Sequence, residues 1–190
     1  MKTIRTTRLR LVPVTAANAG LLWEVLQEPD LRDYQDLPDL SRTQFLRAVG
    51  ARPARLAPGV VGRFEWLVHL SSGAQALGWV SLRIAESNRS HAEIGYSVMR
   101  AYRGHGIASE AVAALVEEGF RRAQVRRIRA FCLPENLASR AVLRRNGFED
   151  RGMLPRGATV AGKPVDVILH TLDREHWAGE ATLNRQATRS

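Results

Sequence analysis

The stretch Tyr102-Arg103-Gly104-His105-Gly106-Ile107-Ala108-Ser109-Glu110-Ala111 changes the periodicity of the chain. Before it, His91 to Met99 reads as a strand; after it, Ser109 to Arg122 reads as a helix. Two glycines allow a tight turn and let bare backbone lie beside a ligand. A helix that starts there presents unpaired N–H groups and the positive end of its dipole. Together these features make a seat for a phosphate or pyrophosphate. Spacing excludes two familiar phosphate loops. No lysine follows the glycines as a P-loop requires, and Ser109 stands where a dinucleotide fingerprint needs its third glycine. The pattern that remains is Arg-x-x-Gly-x-Ala, carried by Arg103, Gly106 and Ala108.

Downstream, Arg127-Ile128-Arg129-Ala130-Phe131-Cys132-Leu133-Pro134-Glu135-Asn136 runs on into Leu137-Ala138-Ser139-Arg140-Ala141-Val142-Leu143-Arg144-Arg145-Asn146-Gly147-Phe148. It reads as strand, turn, helix and glycine stop. Upstream stands Ala92-Glu93-Ile94-Gly95-Tyr96. The Arg-x-x-Gly-x-Ala turn resembles the acyl-CoA signature of the GNAT superfamily of N-acetyltransferases. Asn136, Ser139, Gly147 and Phe148 match the Asn-x-x-Ser helix start and closing Gly-Phe of that family's second half. The Ala-Glu-Ile-Gly-Tyr strand is similar to that of its RimJ/RimL branch, whose members acetylate protein N-termini and whose relatives act on antibiotics and polyamines. The resemblance runs from about Arg5 to Trp177. It implies a GNAT-like α+β fold: a central, mostly antiparallel twisted sheet flanked by helices.

The resemblance also implies roles. Backbone N–H groups from Arg103 through Gly104, His105, Gly106, Ile107 and Ala108, with Ser109 beyond, are expected to hold the pyrophosphate of acetyl-CoA, and Arg103 is either a phosphate partner or a surface charge. Ser97, Val98 and Met99 are expected along the pantetheine arm, with the Val98 N–H on the thioester carbonyl. Asn136 bonds the pantetheine, caps the helix, or both. Many family members place a tyrosine acid seven residues after that asparagine. Leu143 stands there and donates no proton, which shifts the acid role to Ser139. The base is expected to be Glu93, acting through a water or by attracting the ammonium, with His69 and His91 as alternatives. No metal is needed, because a thioester is already activated. Positioning, oxyanion stabilisation and proton transfer are what the protein must supply.

Composition fits this reading. With 190 residues, 45% of them hydrophobic, the chain suits one domain, 1–178, with a flexible tail expected over 179–190. One cysteine excludes an internal disulfide, and Cys132 lies in an apolar run where packing is its expected role. No apolar run reaches membrane-spanning length and the N-terminus lacks the apolar core of a signal peptide, so a cytoplasmic protein is the default expectation. The net charge of +9 and pI near 11.0 raise a second possibility, contact with nucleic acid or the ribosome. Arg121, Arg122, Arg126, Arg127 and Arg129 cluster in sequence, with Arg140, Arg144 and Arg145 nearby, but few aromatics accompany them.

The remaining scaffold reads as a strand over Arg8 to Pro13, a helix from a Thr15 cap to Leu26, a helix over Ser41 to Val49, a hairpin of Phe64–Leu70 with Ala76–Ile84, and closing strands Glu149–Leu154 and Val165–Leu172. Asp33, Tyr34, Asp36 and Asp39 form an acidic patch between the first helices. Tyr34 and Asp36 are the expected contacts to a cationic acceptor. Trp23, Trp66, Trp79 and Trp177 are expected as packing anchors. Two other classes stay open: a non-catalytic acyl-CoA sensor and an RNA- or ribosome-associated basic protein. A homodimer follows only from family analogy.

Overall fold

The computed structural model describes residues 1–29, 40–160 and 162–177. Leu9 and Leu11 are fully buried while Arg10 between them is not, as alternation demands of a strand with one face on a core. This strand, β2 (Leu9–Pro13), pairs with a two-residue strand β1 (Ile4–Arg5) that has no sequence signal of its own. Helices α1 (Ala19–Leu26) and α2 (Arg42–Gly50) follow. Ser41 starts α2 through a reciprocal capping box with Gln44. Three long antiparallel strands come next: β3 (Gly62–Leu70), β4 (Ala76–Ala85) and β5 (Asn88–Val98). Then come α3 (Ile107–Glu117), β6 (Arg127–Cys132), α4 (Leu137–Arg145), β7 (Glu149–Val160) and β8 (Lys163–Asp173).

Among the described residues, eight strands join one sheet in the order β1-β2-β3-β4-β5-β6-β8-β7. Neighbours are antiparallel except β5 and β6, which are parallel. That parallel register covers only His91↔Arg127, Ala92↔Ile128 and Glu93↔Arg129. Beyond Glu93, β5 continues to Val98 and β6 to Cys132 without pairing to each other. The two strands therefore part, and their free backbone edges flank a V-shaped opening.

Both faces of the sheet are covered. On one, Phe64, Trp66, Val80, Leu82 and Ile94 pack with Val112, Leu115 and Phe120 from α3 and its continuation. On the other, Leu67 and Trp79 pack with Leu22 of α1 and Phe45 and Val49 of α2. Such burial on both faces gives β3 its near-continuous apolar run.

Several boundaries differ from the sequence expectations. The first helix is entered through Asn18 rather than Thr15, and Asn18 Oδ1 accepts the Thr15 N–H at 2.7 Å, making a local turn that delays the helix. The third begins at Ile107, two residues early, because Gly106 at φ 75° makes the reversal that starts it. It then ends at Glu117 and gives way to a π-helical turn over Glu118–Arg122. The closing strands are much longer than Glu149–Leu154 and Val165–Leu172. Strand β7 is exposed along most of its length, so no buried alternation marks its extent. Residues 30–39 and 178–190, with Tyr34, Asp36 and the expected tail, lie outside the described residues.

Candidate active site

The parting of β5 from β6 sets the site. A cavity of about 350 Å³ opens there, bounded by the end of β5, the glycine turn and α4. Glycine at position 78 fixes how β5 lies: a Cβ there would collide with the Ser97 carbonyl oxygen and sit 2.9 Å from Val98 Cα. At the turn, Gly104 and Gly106 have φ of 81° and 75°, the left-handed region that glycine enters without penalty. The first turn of α3, whose N–H groups have no intrahelical carbonyl to pair with, borders this end of the cavity.

Residues distant in sequence hold the turn. Arg8 Nη1 donates to the His105 carbonyl at 2.8 Å, and Arg8 Nε donates to Glu110 Oε2 at 2.7 Å. The Arg8 N–H and the Thr6 hydroxyl both donate to Glu110 Oε1, at 2.9 and 2.5 Å. Burial alone would raise the Glu110 carboxyl, but these hydrogen bonds outweigh it and hold the group below its ordinary value. Asn146 Nδ2, on the far side, donates to the Ser109 carbonyl at 3.2 Å and ties the end of α4 to the start of α3.

Ser97, Val98, Arg103 and Gly104 line the cavity, as do Gly106, Ile107, Ala108 and Ser109. Arg103 also donates from Nε to the Val98 carbonyl at 2.9 Å, so its guanidinium braces the strand end as well as bordering the cavity. His105 stands off the cavity wall and offers its carbonyl to Arg8. Met99 is also off the wall: its N–H donates to the Leu77 carbonyl at 2.8 Å and its side chain packs with the α1–α2 core. Arg145, in the last turn of α4, borders the cavity; the sequence places it only in the arginine cluster, not at a cofactor site.

Asn136 and Ser139 border this cavity too. Asn136 Oδ1 accepts the Ser139 N–H at 3.0 Å, a helix cap. The Ser139 hydroxyl lies 2.8 Å from the Tyr96 phenol oxygen, and the phenol is also 3.1 Å from the Ser139 carbonyl. Burial pushes the Tyr96 phenol far above its ordinary value, only partly countered by the Ser139 hydrogen bond, so it stays protonated at any physiological pH. The sequence motif contains Tyr96, but no local signal marks it as a site residue. Leu143 is fully buried in the core and away from the cavity.

A second cavity, about 670 Å³, lies against the other part of the opening, with Gly157 to Val160 of β7 along one side. Tyr96, Asn136 and Ser139 border both cavities. Glu93 borders only the second. Its Oε2 accepts from Arg83 Nη2 at 2.8 Å, across the register pair Arg83↔Glu93. His69 and His91 border neither cavity. His69 is buried with Nδ1 3.0 Å from the Ala74 carbonyl. Cys132 is buried in the wall of the second cavity, and burial pushes its thiol up to about 11.

Four of the eight arginines of the cluster are matched by acids. Arg121 pairs with Glu117, Arg122 with Glu118, Arg127 with Asp173 and Arg140 with Asp150. Trp177 packs on Phe120 with centroids 5.2 Å apart, and Trp23 packs on Phe45 at the same distance. Among the described residues, no helix is long and apolar enough to cross a membrane.

A splayed parallel pair in an otherwise antiparallel sheet, with a glycine turn feeding a helix beside it, is the architecture of an N-acetyltransferase. The acetyltransferase (GNAT) domain family matches residues 8–149, and the chain belongs to that family. It is 28% identical over 180 residues to the uncharacterized N-acetyltransferase p20 of Bacillus licheniformis, covering 94% of this chain and 100% of that one. Its fold is that of the ribosomal-protein-S5-alanine acetyltransferase of Vibrio fischeri (TM-score 0.76, 21% identity, 93% of this chain and 99% of that one). It is equally that of the ribosomal α-N-protein acetyltransferase RimL in complex with coenzyme A (TM-score 0.73, 22% identity, 90% and 98%).

Proposed function

We propose that this N-acetyltransferase moves an acetyl group from acetyl-CoA to a primary amine, either a protein N-terminal α-amine or the amine of a small molecule, by direct attack while both are bound. The observation that carries this reading is the meeting of two cavities at Tyr96, Asn136 and Ser139. One cavity has the features of a CoA site: two left-handed glycines, the N-terminus of α3, an unpaired strand edge, and Arg103 and Arg145 on its border. The other has room for an acceptor. The ligand of the solved RimL complex and the ribosomal-protein names of RimL and the Vibrio fischeri enzyme favour CoA and a protein α-amine.

The thioester supplies an activated carbonyl; the chain's own groups do the rest. Backbone N–H groups of the glycine turn and α3 hold phosphate, and the β5 edge at Ser97 and Val98 aligns the extended arm. The Val98 N–H is the donor we assign to the acyl oxygen, where it stabilises developing negative charge. Ser139 passes a proton to the departing sulfur and regains one, through water, from the attacking nitrogen as the amide forms. Tyr96, neutral because it is buried, orients the Ser139 hydroxyl. Glu93 attracts the incoming ammonium and takes its proton through water, while Arg83 holds the carboxylate in place. An α-amine with pKa ~8 needs little help from such a base, whereas a lysine near ~10.4 needs more.

Calorimetric titration with acetyl-CoA at moderate salt, on wild type and Gly106→Trp, tests the cofactor site. Binding that the bulky side chain abolishes, with thiol release when amines are added, is the expected result. No binding by folded wild type would overturn the reading. Binding without turnover of any amine would instead make the chain an acyl-CoA sensor.

A further inference from the structure

We infer that the acceptor of this enzyme is an anionic primary amine, one that carries a carboxylate or phosphate within a few bonds of the reacting nitrogen. The inference rests on the acetyl-transfer reading and names the chemistry of its second substrate. Among the described residues, the charged groups bordering the second cavity are Arg63, Arg83, Arg129 and Glu93. Three guanidiniums thus stand against one carboxylate, and that carboxylate is already taken by Arg83. Arg63 reaches Glu65 at 2.9 Å outside the wall, but Glu65 also pairs with Arg52, so this acid is shared between two cations. Desolvation first, and then Arg83, push the guanidinium of Arg63 below its ordinary value, with Glu93 opposing them.

Hydrogen bonding points the same way. Among the described residues, two buried N–H donors of residues in this wall, Arg129 Nε and Trp79 Nε1, have no hydrogen-bond partner. Buried donors left unmatched are costly, and a ligand oxygen seated here meets that need where a cationic ligand cannot. The reacting amine itself lies toward Glu93 and Ser139, so the anionic part of the acceptor extends toward Arg63, Arg129 and β7. This polarity is opposite to that expected from the acidic patch at Asp33, Tyr34, Asp36 and Asp39.

The test compares peptides that share one N-terminal serine but continue with two aspartates, two alanines or two lysines. A small phosphorylated amine, O-phosphoethanolamine, forms a fourth arm. The kcat/KM of each is measured at saturating acetyl-CoA in wild type and Arg129→Gln, at low and high salt. The aspartyl peptide is expected to exceed the lysyl peptide by about tenfold or more, with salt narrowing the gap. Arg129→Gln should cut its kcat/KM about tenfold through KM, a loss well beyond the one it causes with the alanyl peptide. Preference for the small amine over every peptide would keep the anionic chemistry and assign its source to a small molecule. Equal use of the three peptides together with no use of O-phosphoethanolamine, or preference for lysines, overturns the inference and leaves acetyl transfer standing. Should no acceptor turn over, calorimetry of the aspartyl peptide on the acetyl-CoA-loaded protein decides. Binding weakened by Arg129→Gln upholds anion recognition without transfer, and absence of binding removes both.

Discussion

The Tyr96 phenol oxygen and the Ser139 hydroxyl oxygen lie 2.8 Å apart, joining the free edge of β5 to the first turn of α4 across the opening in the sheet. Each residue reaches the other because β5 and β6 cease to pair after Glu93↔Arg129. If Ser139 gives a proton to the leaving sulfur, its orientation depends on this one contact. Ser139→Ala is expected to lower kcat by about a hundredfold with little change in acetyl-CoA affinity. Tyr96→Phe keeps the ring and loses only the hydroxyl, so a smaller loss of about tenfold is expected, the worth of one hydrogen bond near 1.4 kcal/mol. Because the phenol does not titrate in the working range, the pH profile of Tyr96→Phe should keep the wild-type inflections. Steady-state kinetics with thiol detection checks both; an unchanged kcat in Ser139→Ala would remove it from the chemistry.

Glu110 carries a pH dependence of stability. Its carboxyl sits below the ordinary value of 4.5 in the folded chain, through hydrogen bonds from Thr6 and Arg8 that outweigh burial. A depressed carboxylate contributes stability that is fully present above that ordinary value and is lost as pH falls through the lower folded one. Glu110→Gln should therefore cost about 1–2 kcal/mol at neutral pH, allowing for the half-exposed Arg8. The gap between variant and wild type should close as the solution is acidified below pH 4.5. Urea melts across that range measure it. A gap that stays constant would mean the contacts do not depend on the charge. Since Arg8 also holds the His105 carbonyl, acetyl-CoA affinity should fall with Glu110→Gln while kcat at saturation stays close to wild type.

How much of this is legible in the sequence depends on the range of the interaction. The glycine turn, the capping asparagine and the hairpin of β3 and β4 are local: each is fixed by residues a few positions apart, and each lies where its pattern puts it. The clamp from Arg8 and Thr6 to Glu110 spans about a hundred positions and has no periodicity to betray it. Tyr96 reads as an ordinary strand residue, because its place at the junction follows from where the register with β6 ends. Leu143 is legible only in part. Its chemistry excludes it as an acid, but only the structure turns it into the core, fully buried. Strand β7 is underestimated because its exposed residues carry no alternating apolar face.

Gly78 makes a prediction that no motif contains. A methyl group there would meet the backbone of Ser97 and Val98, which cannot swing aside like a side chain. The substitution Gly78→Ala must push β5 away from β4 at the point where β5 borders the first cavity. A loss of about 3 kcal/mol or more is expected, at the upper end for overpacking because the clash is with backbone. What still folds should bind acetyl-CoA more weakly, since Ser97 and Val98 shift with the strand. Differential scanning fluorimetry with and without acetyl-CoA separates the two effects. A wild-type melting temperature would show that the strands can spread at no cost.

Cys132 stands in the wall of the second cavity, close enough to the junction to invite a nucleophilic role, yet its surroundings argue against one. Burial pushes the thiol up to about 11, with Arg140 lowering and Asp150 raising it by smaller amounts. The nearest basic group, His170 Nδ1 at 3.8 Å, is itself buried and pushed toward its neutral form, so it offers no cation to hold a thiolate. At neutral pH the residue is a small apolar side chain. Iodoacetamide should label native protein slowly near pH 7, with a rate that climbs about tenfold per pH unit between pH 8 and pH 10 as the thiolate fraction grows. Cys132→Ala should keep kcat within about twofold while losing roughly 1 kcal/mol of stability through lost packing. Mass-spectrometric labelling kinetics and a thermal melt measure the two. Fast labelling at pH 7 together with a large loss of kcat would make Cys132 a participant in the chemistry and displace Ser139 from the centre of the mechanism.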